Sequence, residues 1–291
     1  MKLLKGTLVI LLAVACFMPM AAQAEPLGVD FGIQYNSDYF WRGFSFYGYT
    51  EDAAKSDATR GVFFPWVGYG FSDFYLYIGG EIAESLMAGD DATDLEREWE
   101  GVDFILTYSK GIINDNINLG LKLSYFYYPR SREIGNGDFN DFAEVSPSIT
   151  FSKLPLSPKF LVSWYYRPDK QTYEGYDDYD QQNAKDFYYQ LSLGHSFNVT
   201  EKSTFYLGAW GSYFWYASYP TGERNYVGHG KARRGFSDVG ATGKISVSGD
   251  SGVSFSASYN FAYTPDHDIY TANAYKDQYH HWTTFAVSYS I

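Results

Sequence analysis

Apolar and polar residues alternate along this chain with a period of two from about residue 27 to its last residue, and few folds accept that rhythm. In the stretch 117–127, Ile117, Leu119, Leu121, Leu123, Tyr125 and Tyr127 share one parity, while Asn118, Gly120, Lys122 and Ser124 share the other. Successive side chains of a strand point to opposite faces, so the stretch has one apolar face and one polar face. Val253, Phe255, Ala257, Tyr259, Phe261 and Tyr263 stand against Ser254, Ser256, Ser258 and Asn260 in the same way. So do Val145, Ile149 and Phe151 against Glu144, Ser146, Ser148 and Thr150.

A water-soluble sandwich also alternates, and two further features separate the cases. The polar face keeps small residues and isolated charges through the middle of strands, as a wet or hydrogen-bonded interior requires. The gaps between strands also come in two lengths that take turns. Strands are expected at 27–42, 60–69, 73–83, 99–109, 115–128, 141–152, 158–167, 185–198, 202–218, 235–248, 252–264 and 279–291. Short links fall at 70–72, 110–114, 153–157, 199–201 and around Asp250; long ones fall at 43–59, 84–98, 129–140, 168–184, 219–234 and 265–278. The pattern predicts an all-β fold: a transmembrane antiparallel barrel of about twelve strands, with short periplasmic turns, long extracellular loops and both chain ends in the periplasm. Lipid demands closure, because an open sheet edge would leave a row of backbone groups unsatisfied in hydrocarbon. Thr283, Phe285, Val287, Tyr289 and Ile291 alternate up to the last residue, which suits a final strand that pairs with the first. Pro65 and Pro147 sit inside expected strands and should mark bulges or gaps in the ladder. His195 shares the apolar face of Leu191, Leu193 and Phe197, and is expected at the periplasmic rim.

Composition supports a membrane barrel. Aromatic residues make up 20% of the chain, with 29 tyrosines, a supply that girdles at two membrane interfaces would use. The start reads as an export signal over 1–24: Lys2 and Lys5, an apolar stretch over 8–17, and a small-x-small site at Ala22-Gln23-Ala24. The remainder, 25–291, is expected to be a single barrel domain. Cys16 follows Ala13-Val14-Ala15, as a lipoprotein cysteine would, but position 13 lacks the larger aliphatic residue that signal favours. Cleavage after Ala24 removes the one cysteine and with it any disulfide or thiolate metal site. After the signal no apolar run approaches the roughly eighteen residues of a membrane helix. The formal charge of −12 excludes nucleic acid as a partner, since phosphate binding needs a basic surface.

If the apolar face meets lipid, the opposite face lines the lumen. Parity then places Asp30, Gln34, Asn36, Asp38 and Arg42 inside, followed by Glu81, Asp103, Lys122, Glu144, Arg167, Asp238 and Lys244. Mixed signs suit a solute pathway whose charges orient a polar substrate, or internal pairs that brace a filled interior. Phe40, Tyr165, Tyr188, Tyr206, Trp210, Phe214 and Tyr216 also point inward by parity, which argues against a wide unselective pore. The external loops are acidic, with clusters at Asp90, Asp91, Asp94, Glu96, Glu98 and Glu100 and at Asp169, Glu174, Asp177, Asp178 and Asp180. No EF-hand spacing organises them, so solvated loops are expected rather than a calcium site. Arg224, His229, Lys231, Arg233 and Arg234 form the basic exception, suited to acidic neighbours or to lipopolysaccharide.

No enzyme is expected. Twelve-stranded outer-membrane phospholipases place a serine and a histidine together on the lipid-facing side. Here Ser288 and Ser290 have the opposite parity from His281, and His195, His229, His267 and His280 find no partner arrangement. A metal clip of His267, Asp268, His280 and His281 is the weaker alternative to solvated histidines. No phosphate loop, zincin motif or dinucleotide fingerprint occurs, and no cofactor is expected.

At Ser37-Asp38-Tyr39-Phe40-Trp41-Arg42-Gly43-Phe44-Ser45 the sequence resembles a poorly characterised family of proteobacterial outer-membrane β-barrels. Its members carry a Tyr-x-Trp/Phe-Arg-Gly-x-Ser phrase at the end of the first strand, followed by glycine- and tyrosine-rich strands. The resemblance implies location and architecture, without a settled substrate or catalytic residues. Its members usually end in an aromatic residue, where this chain has Ile291. The resemblance singles out Arg42, read as a brace for the first external loop or as a substrate-facing cation.

The expected function is passive, selective diffusion of a small polar or aromatic solute through an outer-membrane channel. The alternative is a plugged barrel whose acidic loops act as a surface adhesin or anchor. The expected partners are outer-membrane lipid and lipopolysaccharide, a small solute, and, for the alternative, a surface protein.

Overall fold

The structure is a computed structural model that describes residues 28–38, 40–41, 44–45, 61–83, 101–129, 142–166, 186–216, 233–266 and 278–291. The strands in chain order are β1 (Val29–Asn36), β2 (Phe40–Trp41), β3 (Phe44–Ser45), β4 (Val62–Phe71), β5 (Phe74–Ala83), β6 (Gly101–Ile112) and β7 (Ile117–Tyr127). They continue as β8 (Phe142–Phe151), β9 (Lys159–Tyr166), β10 (Asp186–Thr200), β11 (Ser203–Tyr216), β12 (Arg233–Ser248), β13 (Val253–Tyr263) and β14 (Tyr279–Ser290). β2 and β3 form a separate two-stranded ribbon, and the other twelve close into one barrel in chain order. Closure runs through β1, which pairs antiparallel with β14 from Asp30↔Ser290 to Asn36↔Thr284 and with β4 on its other side. Among the described residues no helix is long and apolar enough to cross a membrane.

The two parities have opposite environments. Large apolar side chains such as Val67, Leu76, Phe104, Leu121, Trp164, Leu191, Leu207, Ile245, Phe255 and Phe285 stand exposed on the outer wall. That much contiguous exposed apolar surface on a closed sheet is stable only in lipid. The protein is a bacterial outer-membrane barrel, and its polar residues turn inward because the other parity is committed to the bilayer. An apolar furrow of about 420 Å³ on this wall, over Ala257 between Ile33, Val247 and Phe285, faces the bilayer and is no part of the interior.

The short turns lie at one end and are tied to one another. β4 and β5 join through residues 72–73, with Ser72 in the left-handed region at φ 53°. The turn between β6 and β7 places Ile113, Asn114 and Asp115 there in succession, at φ 52°, 54° and 59°. Lys110 Nζ bonds Asp73 Oδ2 at 2.7 Å, Lys153 Nζ donates to the Asn114 carbonyl at 2.8 Å, and Lys202 Nζ meets Asp250 Oδ2 at 2.5 Å. At the closing seam Gly28, at φ 70°, accepts from the Gly70 amide at 2.7 Å; a side chain there would collide with the Gly70 carbonyl.

The first strand is shorter than the 27–42 that alternation predicts. β1 ends at Asn36, whose partner Val62 is the first residue of β4, so no ladder exists to extend it on that side. Ser37 instead donates its amide to the Thr283 carbonyl and accepts the Thr283 amide on its Oγ, both at 2.9 Å. Phe40 therefore belongs to the ribbon, where it pairs with Ser45, and not to the barrel wall. Arg233 and Arg234, read as loop, are the first residues of β12.

Pro65 and Pro147 produce gaps rather than bulges. β4 pairs with β5 at Phe63↔Ile82 and resumes at Trp66↔Gly79 in unchanged register. β8 and β9 likewise pair at Val145↔Trp164 and resume at Ser148↔Leu161. A missing N–H removes a rung without adding a residue, so the register survives. The real irregularities lie elsewhere, between Asn198 and Thr200 in β10 and between Gly211 and Tyr213 in β11. His195 is exposed in the periplasmic half of β10, with its ring edge-on to Phe197 at 4.6 Å.

Candidate functional site: the barrel interior

The inner wall is built by aromatic rings that lie on glycines. Trp66 faces Gly32 and Gly79 across its two ladders, and a Cβ on Gly32 would come within 2.9 Å of the indole. The Tyr75 hydroxyl covers Gly68, Tyr77 leans over Gly79, Tyr206 covers Gly194 and Gly208, and Trp210 covers Gly240. A glycine leaves a hollow in a pleated wall, and a neighbouring ring lies flat in it instead of crossing the lumen. Phe64, Trp66, Tyr75 and Tyr77, with Gln34, line an inner-wall cavity of about 310 Å³. Trp66 and Tyr77 stack there at 5.9 Å between centroids, and Tyr75 donates to the Asp30 carboxylate at 2.8 and 3.0 Å.

Two carboxylates are held by dense local bonding. Glu144 Oε1 meets Lys122 Nζ at 3.1 Å and accepts from the hydroxyls of Ser146 and, at 3.1 Å, Ser163. Its side chain is fully buried while that of Lys122 is a third exposed, so the ion pair is anchored in the wall and wetted from the lumen. Asp238 accepts from Trp210 Nε1, from Ser212 Oγ at 2.5 Å and from Ser237 Oγ at 2.9 Å. The irregularity at Gly211/Tyr213 creates this site, because Val239 pairs with Gly211 and Phe236 with Tyr213, which leaves both Ser237 and Asp238 opposite Ser212. Asp103 is buried, with Lys122 acting on it electrostatically, and its Oδ1 has no hydrogen-bond partner among the described residues. Ser124 Oγ on the adjacent strand is in the same condition.

The interior is asymmetric from end to end. Towards the extracellular ends of the strands Val62, Ala83, Tyr128, Tyr165, Tyr188, Phe214, Ala262, Thr264 and His280 are all buried. There Phe142 packs on Phe126 at 4.4 Å and Tyr165 on Phe214 at 5.7 Å, an aromatic arc running from β7 to β11. Towards the periplasmic ends the inward residues Lys159, Ser196, Asn198 and Lys244 are exposed. The lumen is thus a wet vestibule that meets a covered outer belt.

Of the residues that parity selects, Asp30, Glu81, Asp103, Lys122, Glu144, Trp210, Asp238 and Lys244 lie on strand positions opposite the lipid-facing parity. Lys122 and Glu144 come together, as do Trp210 and Asp238, while Asp30 takes Tyr75 and Lys244 stands apart in water. Asp38 is buried beyond the end of β1. Arg42, Arg167 and the acidic clusters of the long loops lie outside the described residues, as do the export signal and His267 and Asp268. His281 faces outward and bonds the Tyr259 hydroxyl at 2.8 Å, whereas His280 is buried on the other parity, so the two cannot close on one ion. Parity reasoning missed Trp66, Tyr75, Tyr77 and Lys159; the signal available was the recurrence of glycine beside inward aromatics, legible only once register is known.

No protein-family model matches the chain, and no characterised protein matches it in sequence. Among solved structures, NanC porin aligns over 90% of this chain and 100% of its own, at 9% identity and a TM-score of 0.48. An outer-membrane channel from Pseudomonas putida F1 aligns over 92% and 97%, at 9% identity and 0.45. LpxR from Salmonella typhimurium aligns over 90% and 100%, at 8% identity and 0.39. At these values no family, activity or substrate carries over to this chain, and the likeness of the phrase at 37–45 remains a resemblance.

Proposed function

We propose that the protein is an outer-membrane channel for passive, selective diffusion of small polar or aromatic solutes. The observation that carries this reading is the placement of the inward rings. Trp66, Tyr75, Tyr77, Tyr206 and Trp210 lie along the wall over glycines, so these five rings line the interior below the outer belt without filling it. A passage lined by ring faces and fixed polar groups discriminates among solutes by shape and charge. Charge gives the passage a sign. On inward strand positions whose side chains are described, Asp30, Glu81, Asp103, Glu144 and Asp238 outnumber Lys122, Lys159 and Lys244. Lys122 is spent on Glu144, and Lys159 and Lys244 stand exposed on the vestibule side, so the deeper wall favours cations.

The covered outer belt favours a second reading, a plugged barrel that works through its extracellular loops. Swelling of liposomes that contain the refolded barrel, in a graded series of small neutral solutes, separates the two. A channel gives swelling that slows as solute size rises. Swelling no faster than that of empty liposomes, with folding verified, overturns the channel and leaves the plug.

A further inference from the structure

The cavity of Gln34, Phe64, Trp66, Tyr75 and Tyr77 is more specific than a polar pathway needs to be. Four aromatic side chains converge on about 310 Å³, a volume at the small end of ligand sites. Among the described residues no lysine or arginine lines it. Carboxylates flank it on two sides instead. Asp30 accepts the Tyr75 hydroxyl at one edge, and Asp103 and Glu81 act electrostatically on Tyr77 at the other. Asp103, directly across the ladder from Gly79 under the Tyr77 ring, keeps an unsatisfied buried Oδ1. Ring faces carry negative quadrupole charge, and a tryptophan face is the strongest of them. Negative faces backed by carboxylates, with Lys122 reaching only the Asp103 side, form a trap for positive charge spread over an apolar surface.

We infer that this cavity is a binding subsite for an organic ammonium ion, held against the faces of Trp66 and Tyr77 with Asp30 and Asp103 supplying the counter-charge. The inference rests on the channel reading for its biological use, since it places the subsite on the solute's route. A bare metal ion gains little from ring faces and loses its hydration, and a sugar lacks the charge the flanking acids call for. Gln34, whose Nε2 donates to Asn36 Oδ1 at 3.0 Å, leaves its own carbonyl to accept from a hydroxyl or N–H on the bound cation.

The probe pair is choline and its uncharged isostere 3,3-dimethyl-1-butanol, titrated into the refolded full-length mature barrel in micelles and followed by tryptophan fluorescence and calorimetry. Saturable choline binding is expected, at least about tenfold tighter than the isostere, from the desolvated cation–π contact that only choline makes. Trp66→Leu and Asp103→Asn should each weaken choline more than the isostere. Should Trp66→Leu fail to fold, the wild-type comparison of the two probes still decides. Equal affinity for choline and isostere, or no saturable choline binding, overturns the subsite. Because binding is read in micelles, the channel stands or falls separately: solute flux without choline preference removes only the subsite, and choline binding without flux removes only the channel.

Discussion

The wall of this barrel depends most on single residues where a charge is buried. Glu144 is fully covered and bonds Lys122 and the Ser146 and Ser163 hydroxyls. Removing the lysine takes a close counter-charge away from a buried anion, which costs more than the pair itself contributes. Lys122→Met should therefore lower stability by about 2 kcal/mol, a value below that of a fully buried pair because Lys122 is partly wetted. The double variant with Glu144→Gln should recover most of that loss. Urea unfolding midpoints of the refolded proteins check both. Neither partner could be assigned to the other from sequence alone. Their contact follows from the register Lys122↔Ser146 and Ser124↔Glu144, which sets the two side chains diagonally on one face.

At the scale of strands and turns, legibility follows the forces involved. Lipid outside and polar groups inside impose alternation on every strand, so eleven of the twelve expected strands lie within a few residues of their observed bounds. The first strand is the exception because its end is set by where β4 begins and by Ser37 capping, neither of which has a period. The irregularity at Gly211/Tyr213 was likewise invisible, since it answers the Asp238 carboxylate across the ladder. Ile113 carries a local conflict, a β-branched residue at φ 52° with its side chain exposed. Ile113→Asn should stabilise the barrel by about 1 kcal/mol, because asparagine tolerates the left-handed region, and a higher urea midpoint would register it. Ring-on-glycine packing predicts a different response. An alanine at Gly79 places its Cβ 2.6 Å from the Tyr77 ring and must push that ring off the wall. Gly79→Ala should fold nearly as well as the parent and conduct less, read as a smaller single-channel step.

For the whole molecule the decisive property is closure. Every barrel strand has two partners, and removing β14 would leave both β1 and β13 with an open edge in hydrocarbon. A chain lacking 279–291 should fail to insert as a folded species, as protease protection in liposomes would reveal. Closure also gives the inward residues an order: acids in the deeper wall, water-exposed lysines in the vestibule, and a ring-lined cavity between β1 and β5. That order was not legible before the structure, because parity gives mixed charges and only pairing shows that Lys122 is already committed to Glu144.

The most direct test is the reversal potential of single refolded channels in a planar bilayer under a potassium chloride gradient. A conducting, acid-walled lumen predicts discrete openings whose reversal potential lies on the potassium side, and moves further that way in Lys122→Met. A potential on the chloride side, or silence from barrels shown to be folded and inserted, would contradict it.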